Sequence, residues 1–363
     1  MHGMALRPDL LAQPGYAFEA AEADVKLDQN EAPRVLPPEV RERALRRVSE
    51  VAWNRYPDLR PRALAEAIAE RDGWDPDGVV VTAGSNVAIQ AWVIAAGLGR
   101  RVATVVPTFS VYLAQARVLG ADPVAVPLAP PDFRLDVPAL TAALERGPGV
   151  LFLADPTAPT GHRLDDDAVH AVLDAATAHG WMTVVDEAYA PFDGRDRLDA
   201  VRGHRDRASL RTFSKADGLG ALRLGYTLTH PETAAEVAKA TLPFSVSAWQ
   251  AAAAEALLRD PDARAARDAT IREARAERER LLAALAARPD VEPLPSVTNF
   301  VTFRVPAAGA TFDALMARGV RVRRQDHLPG LDGALRVSVG TPSENDAFLA
   351  ALDAAIPPEA HRG

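Results

Sequence analysis

Residues 149–189 read GVLFLADPTAPTGHRLDDDAVHAVLDAATAHGWMTVVDEAY. Two apolar runs, GVLFLADP at 149–156 and WMTVVDEAY at 181–189, flank a helical pattern at 165–179. Near-continuous Val/Leu runs are what strands covered on both faces look like. Strand, helix, strand implies a parallel pair joined by a right-handed crossover. The texture extends both ways. VVVTAG at 79–84, RVATVVP at 101–107 and PVAVPL at 123–128 come before, with helical stretches at 85–98 and 110–119. Two more strand candidates follow at 208–213 and 223–229. The pattern predicts an α/β fold: an open, mostly parallel sheet between helices.

Residues 1–35 are rich in Pro, Asp and Glu and predict an extended arm. A helix is expected from Pro37 to about Val51, with Pro-Pro at its start. Another runs from Pro61 to Arg71, apolar at Leu64, Ala67 and Ile68. After Pro243 the pattern changes. Residues 247–287 are strongly helical, and their many charges read as a solvated face. The remainder alternates strand candidates (NFVTFRV, GVRVR, ALRVSVG) with helices at 310–318 and 343–354. At 363 residues the chain exceeds the size at which a single core stops growing. The expected division is an arm at 1–35, a large domain at 36–245 and a small α+β domain at 246–363. The first helix of the large domain is free to pack with the small one.

With 48% hydrophobic and 25% charged residues, the chain is globular rather than disordered or fibrous. Cysteine is absent, which removes disulfides, thiolate metal sites and cysteine nucleophiles. The net charge of -8 argues against nucleic acid as a partner. No apolar run approaches the ~20 residues that span a bilayer, and the N-terminus lacks a basic start followed by an apolar core. A cytoplasmic protein with no membrane partner and no metal is expected. Only three of the 41 basic residues are lysine: Lys26, Lys215 and Lys239. Any lysine chemistry must come from one of them.

Open α/β sheets bind ligands at the carboxyl ends of their strands. Thr82-Ala83-Gly84-Ser85-Asn86 falls there, as either an anion site at a helix start or a plain capped turn. Val184-Val185-Asp186-Glu187-Ala188-Tyr189 delivers carboxylates to another strand end. A buried Asp186 needs a cation, such as a protonated ring nitrogen; metal ligation or a surface turn are the other readings. Thr212-Phe213-Ser214-Lys215 precedes a Gly-containing loop and Arg223. A desolvated lysine there is nucleophilic, and Ser214 and Arg223 suit a phosphate. Asp155-Pro-Thr-Ala-Pro-Thr-Gly161 is a rigid turn. Arg323 and Arg336, near apolar strands, call for a carboxylate partner, from a ligand or from the protein itself. Together these are the parts of a pyridoxal-phosphate enzyme acting on an amino acid.

The motifs occur in the order and spacing of the fold-type I aminotransferases, which the chain resembles from LDQNEAP (27–33) to LRVSVGTPSEN (335–345). It is most similar to the histidinol-phosphate aminotransferases. The resemblance implies an aspartate-aminotransferase-like fold, with a mostly parallel seven-stranded sheet in the large domain and a smaller α+β domain. It implies pyridoxal 5'-phosphate as cofactor, an amino donor and a 2-oxo acid as substrates, and a homodimer. Histidinol-phosphate transamination in histidine biosynthesis is the particular activity implied. Lys215 matches the lysine that bonds the cofactor. Thr212, Ser214 and Arg223, with Gly84, Ser85 and Asn86, match its phosphate-side neighbours. Asp186 matches the partner of the ring nitrogen, Tyr189 the donor to the phenolic oxygen, and Phe109 the stacking aromatic. Tyr56 matches a residue reaching the neighbouring subunit's site. Arg336 matches the carboxylate-binding arginine and Arg323 the substrate-phosphate arginine. Asn30 and Asn299 fall at substrate-side positions.

One departure stands out. Where the family usually reads NPNNPTG, this chain has Ala158 at the Asn that hydrogen-bonds the phenolic oxygen. Alanine cannot donate, so Tyr189 or a water is left with that role. Other activities compatible with the motifs are transamination of a different amino acid, or a decarboxylase or lyase of the same fold. A dehydrogenase would need G-x-G-x-x-G, which VVVTAGSNVA (79–88) lacks.

Overall fold

The protein is seen in a computed structural model that describes residues 5–13, 15 and 22–356. Its strands are β1 (Val25–Lys26), β2 (Val79–Thr82), β3 (Arg101–Val106), β4 (Asp122–Pro127), β5 (Gly149–Ala154), β6 (Met182–Asp186) and β7 (Arg207–Thr212). They continue with β8 (Gly225–Thr229), β9 (Glu292–Pro293), β10 (Phe300–Arg304), β11 (Val320–Arg321), β12 (Arg323–Arg324) and β13 (Ala334–Ser338).

Seven strands form one sheet in the order β2-β8-β7-β6-β5-β3-β4. Its parallel pairs run from β4 through β7, and β8 is antiparallel to both β7 and β2. All seven expected runs are in this sheet. Their composition has a direct cause. Leu151, Leu153 and Val185 pack into one core layer, while Val150, Phe152 and Val184 pack into the other. Successive side chains point to opposite faces, so a strand covered on both sides must be apolar throughout. All six residues of β5 are buried. Helix Asp166–Ala178, capped by the Asp165 side chain on the Ala168 N–H, covers one face.

The expected helical region at 247–287 is two helices, Ala248–Arg259 and Pro261–Ala286. Pro261 has no N–H to continue the first. Asp260 caps the second by accepting from the Asp262 and Ala263 N–H groups. Beyond it lies an antiparallel four-stranded sheet, β12-β13-β10-β9. Val301, Phe303, Val337, Leu281 and Phe348 share its core. Helix Pro38–Ser49 packs on Ala248–Arg259.

The N-terminal segment departs from the expected extended arm. Pro8–Leu11 is a short helix. Further on, β1 pairs in parallel with β11, and Leu27 is buried in the C-terminal core. A Val-x-Leu alternation gives this stretch one face to bury, and the paired backbone fixes residues 28–30 beside the large sheet. The carboxyl ends of β2, β3, β5, β6 and β7 meet along one edge, facing this segment and the start of β8.

Candidate active site

Helix Ser85–Trp92 begins where β2 ends. Gly84 precedes it at φ 97°, a conformation open to glycine. A Cβ there would lie 2.9 Å from Arg223 Nη2. At the start of β8, a Cβ on Gly225 would lie 2.4 Å from the Ser85 nitrogen. These two glycines let helix start, strand and guanidinium converge. First-turn N–H groups have no intrahelical partner and carry the positive end of the helix dipole. Arg223 donates to Ser214 Oγ (3.4 Å) and to the Gly220 carbonyl (3.0 Å), and has no carboxylate partner among the described residues. Thr212 Oγ1 accepts from the Ser214 N–H at 3.1 Å. This positive pole, open to the cavity, fits a phosphate dianion.

Lys215 follows β7. Its Nζ donates to the Gln29 carbonyl at 2.7 Å. Burial pulls its pKa down to about 8; Arg336 adds to this, as do Arg223 and Arg323, while Glu31 pulls the other way. Asp186 ends β6. Its Oδ2 accepts from the Tyr112 hydroxyl at 2.6 Å and its Oδ1 from the Ala188 N–H at 3.1 Å. Neither partner is a cation, and burial pushes its pKa up. A protonated ring nitrogen would supply the missing charge. Glu187 points elsewhere, to Ser209 and Arg211. The two acids therefore diverge, which removes the metal-ligand reading of the pair.

Tyr189 accepts a hydrogen bond from Asn30 Nδ2 at 2.9 Å and packs edge-on against Phe300. Burial raises its pKa, so the hydroxyl keeps its proton. Arg336 donates to the Asp28 carbonyl at 2.8 Å and lies over the Phe300 ring. The Arg323 side chain makes no hydrogen bond or ion pair among the described residues.

Ser85, Asn86, Phe109, Ala158, Asp186, Tyr189, Thr212, Ser214, Lys215, Arg223, Arg323, Arg336 and Asn30 line one cavity of about 320 Å³. Gly84 sits behind the lining. Asn299 is also outside it: buried, with Nδ2 donating to the Asn30 carbonyl at 3.0 Å, it supports Asn30 from behind. Tyr56 is on the surface, 85% exposed, with its ring 5.2 Å from that of Phe244. Tyr112, Gln325 and His327 are among the lining residues that were not anticipated. Tyr112 follows Phe109 by three positions, a spacing that puts both on one side of a helical turn. Gln325 and His327 line the cavity beside Arg323, but nothing in their local sequence marks them.

The profile of the family described as Aminotransferase class I and II matches residues 22–352. The chain belongs to that family. It is 45% identical to the histidinol-phosphate aminotransferase of Deinococcus radiodurans, over 340 residues and 93% of each chain. It is 38% identical to that of Methylibium petroleiphilum, over 96% of this chain and 93% of that one. Its structure is similar to histidinol-phosphate aminotransferase from Sinorhizobium meliloti in complex with pyridoxal-5'-phosphate: TM-score 0.86, 26% identity, 98% of each chain covered.

Proposed function

We propose that the chain transfers an amino group between histidinol phosphate and 2-oxoglutarate, with pyridoxal 5'-phosphate held on Lys215. Charge carries this reading. One cavity collects the Lys215 amine and three guanidinium groups against a single lining carboxylate, Asp186. Two of those arginines, Arg223 and Arg323, have no acid of their own among the described residues.

The roles follow from position. The Ser85 and Asn86 N–H groups, Thr212, Ser214 and Arg223 would hold the cofactor's phosphate. Asp186, buried and short of a cation, would keep the ring nitrogen protonated, with Phe109 against the ring. Pyridoxal phosphate supplies an electron sink for the charge left on the substrate's Cα. The Lys215 amine, freed from the cofactor by the substrate's amine, would take the Cα proton and return it to the cofactor carbon two atoms away, as base and then acid. Its depressed pKa suits that double duty. Arg323 and Arg336 would hold the anionic end: the phosphate of histidinol phosphate, which has no carboxylate, or a carboxylate of the 2-oxo acid.

A homodimer belongs to the same reading. Around Tyr56 the surface exposes Trp53, Leu59, Leu242 and Phe244, and Trp53 packs on Trp249 at 4.7 Å. A second copy would cover this apolar face and bring Tyr56 to its neighbour's site. The four-stranded sheet and its helices would form the small domain, at 246–363, and the seven-stranded sheet the core of the large domain, at 36–245. The cytoplasm is where such an enzyme would meet its amino donors.

A half-reaction tests the function. Protein loaded with pyridoxal phosphate is mixed with histidinol phosphate and no acceptor. The visible absorbance of the bound cofactor should disappear, and 2-oxoglutarate should restore it. If the band persists with histidinol phosphate but falls with another amino donor, the substrate assignment is wrong.

A further inference from the structure

Residues 25–30 are anchored at almost every position. The Leu27 N–H donates to the Arg321 carbonyl and the Ser338 N–H to the Leu27 carbonyl, each at 2.8 Å. Asp28 pairs with Arg321 at 2.8 Å. The carbonyls of Asp28, Gln29 and Asn30 accept from Arg336, Lys215 and Asn299 respectively. At the end of this run Asn30 is buried at φ 54°, a left-handed conformation that asparagine tolerates. The anchoring fixes where its amide points.

The hydrogen bonds around its side chain give the direction in which the amide faces. Ser338 Oγ accepts from the Asn30 N–H at 2.7 Å, so its own proton is free to donate. It donates to Asn30 Oδ1 at 3.1 Å. The other amide atom is Nδ2, a donor only, and it lies 2.9 Å from the Tyr189 oxygen. Tyr189 accepts from Asn30, and its phenolic proton turns away. Among the described residues that proton has no acceptor, and Tyr189 lines the cavity.

We propose that Asn30 and Ser338 are positioning residues that aim the Tyr189 proton into the cavity, where Ala158 leaves Tyr189 as the side-chain donor to the cofactor's phenolic oxygen. The inference rests on the proposed function. Asparagine is needed for this. An aspartate of the same shape would accept the tyrosine's proton and turn it from the cavity. Serine at 338 donates to Oδ1 and so leaves Nδ2 for Tyr189. The departure at Ala158 is thus answered from the far end of the chain, by a residue six positions into the docked segment.

The test is a pH titration of the visible absorbance of the protein loaded with pyridoxal phosphate. A donor to the phenolic oxygen draws charge from the ring and eases proton loss, so removing it raises the midpoint. Tyr189→Phe should raise it by roughly 1–2 units, the size of a hydrogen bond to a charged group. Asn30→Ala should raise it by roughly half a unit to one unit. Asn30→Asp should raise it more than Asn30→Ala, and Ser338→Ala, the mildest change, by less. In a Tyr189→Phe background, Asn30→Ala should add nothing. Ala158→Asn restores a donor and should shrink the Tyr189→Phe shift. Equal Asn30→Ala shifts with and without the Tyr189 hydroxyl would overturn the proposal, as would no shift in Asn30→Ala and Ser338→Ala proteins that bind the cofactor. A Lys215→Ala protein whose band titrates like the parent's would instead overturn the cofactor assignment beneath it.

Discussion

Asp186 and Glu187 are adjacent in sequence and both buried, 7% and 1% exposed, yet they sit in opposite kinds of site. Glu187 is closed. Its carboxylate accepts from the Arg197 N–H, the Ser209 hydroxyl and the Arg211 guanidinium. Behind it, Arg211 and Arg71 share Asp72, and Arg71 continues to Asp217. Asp186 is open: a hydroxyl and one N–H, no cation, and a cavity in front. Burial raises the pKa of both, and Arg211 pulls that of Glu187 back. A buried charge matched inside the protein serves the fold, whereas one left short of its counter-charge is held for something that binds.

The contrast should separate stability from turnover. Lys215, on the open side, gives the largest effect: Lys215→Ala should lower turnover by on the order of 10⁴-fold or more without loss of thermal stability. Retained turnover would end the assignment. Asp186→Asn should lower kcat by roughly 10²–10³-fold while the apoprotein unfolds no earlier. Glu187→Gln should do the reverse, costing ~3 kcal/mol in denaturant unfolding because Arg211 loses its closest buried counter-charge, with kcat of the folded protein little changed. If Asp186→Asn proved the more destabilising of the two, the distinction between open and closed carboxylates would fail.

The pH dependence sharpens the same point. Only the neutral amine attacks a carbonyl. Burial and three nearby arginines lower the Lys215 pKa from 10.5 to about 8, so the neutral form is reached at lower pH. Capture of pyridoxal phosphate by the apoprotein should accelerate as pH rises toward 8 and level off above it. A rate still climbing toward pH 10 would show an amine with ordinary solvation.

How much of this was legible in the sequence depends on range. The inner strands of the large sheet were legible because both faces are covered, so apolar runs like VLFLA at 150–154 carry the signal alone, whereas the edge strand β4 is largely exposed. Lys215, Asp186 and Arg223 were legible because each sits within a few residues of a strand end. Asn30 was assigned to the substrate side, and its contact with Tyr189 spans 159 positions. No local pattern encodes such a contact; it exists because β1 docks on β11. The Asp260–Pro261 break could have been read, since an Asp-Pro pair combines a cap with a helix-starting proline.

The smallest expected effect repeats the opening contrast on another pair. Arg321 and Arg323 are two residues apart, on β11 and β12. Arg321 is closed, paired with Asp28 at 2.8 Å with both side chains buried. Arg323 is open, lining the cavity with no ion pair among the described residues. Arg321→Gln should therefore cost stability, because the Asp28 carboxylate loses its counter-charge, and should loosen the segment that carries Asn30. Arg323→Gln removes a charge that no described residue neutralises, so the folded protein should be as stable as the parent or more so. Its cost should fall on binding: a rise of roughly 10–100-fold in KM for histidinol phosphate, the range of a hydrogen bond to a charged group. Substrates without a second anionic group should be almost unaffected. If Arg323→Gln instead raised KM equally for all amino donors, this arginine would be shaping the cavity rather than reading the phosphate, and the substrate assignment would lose its main support.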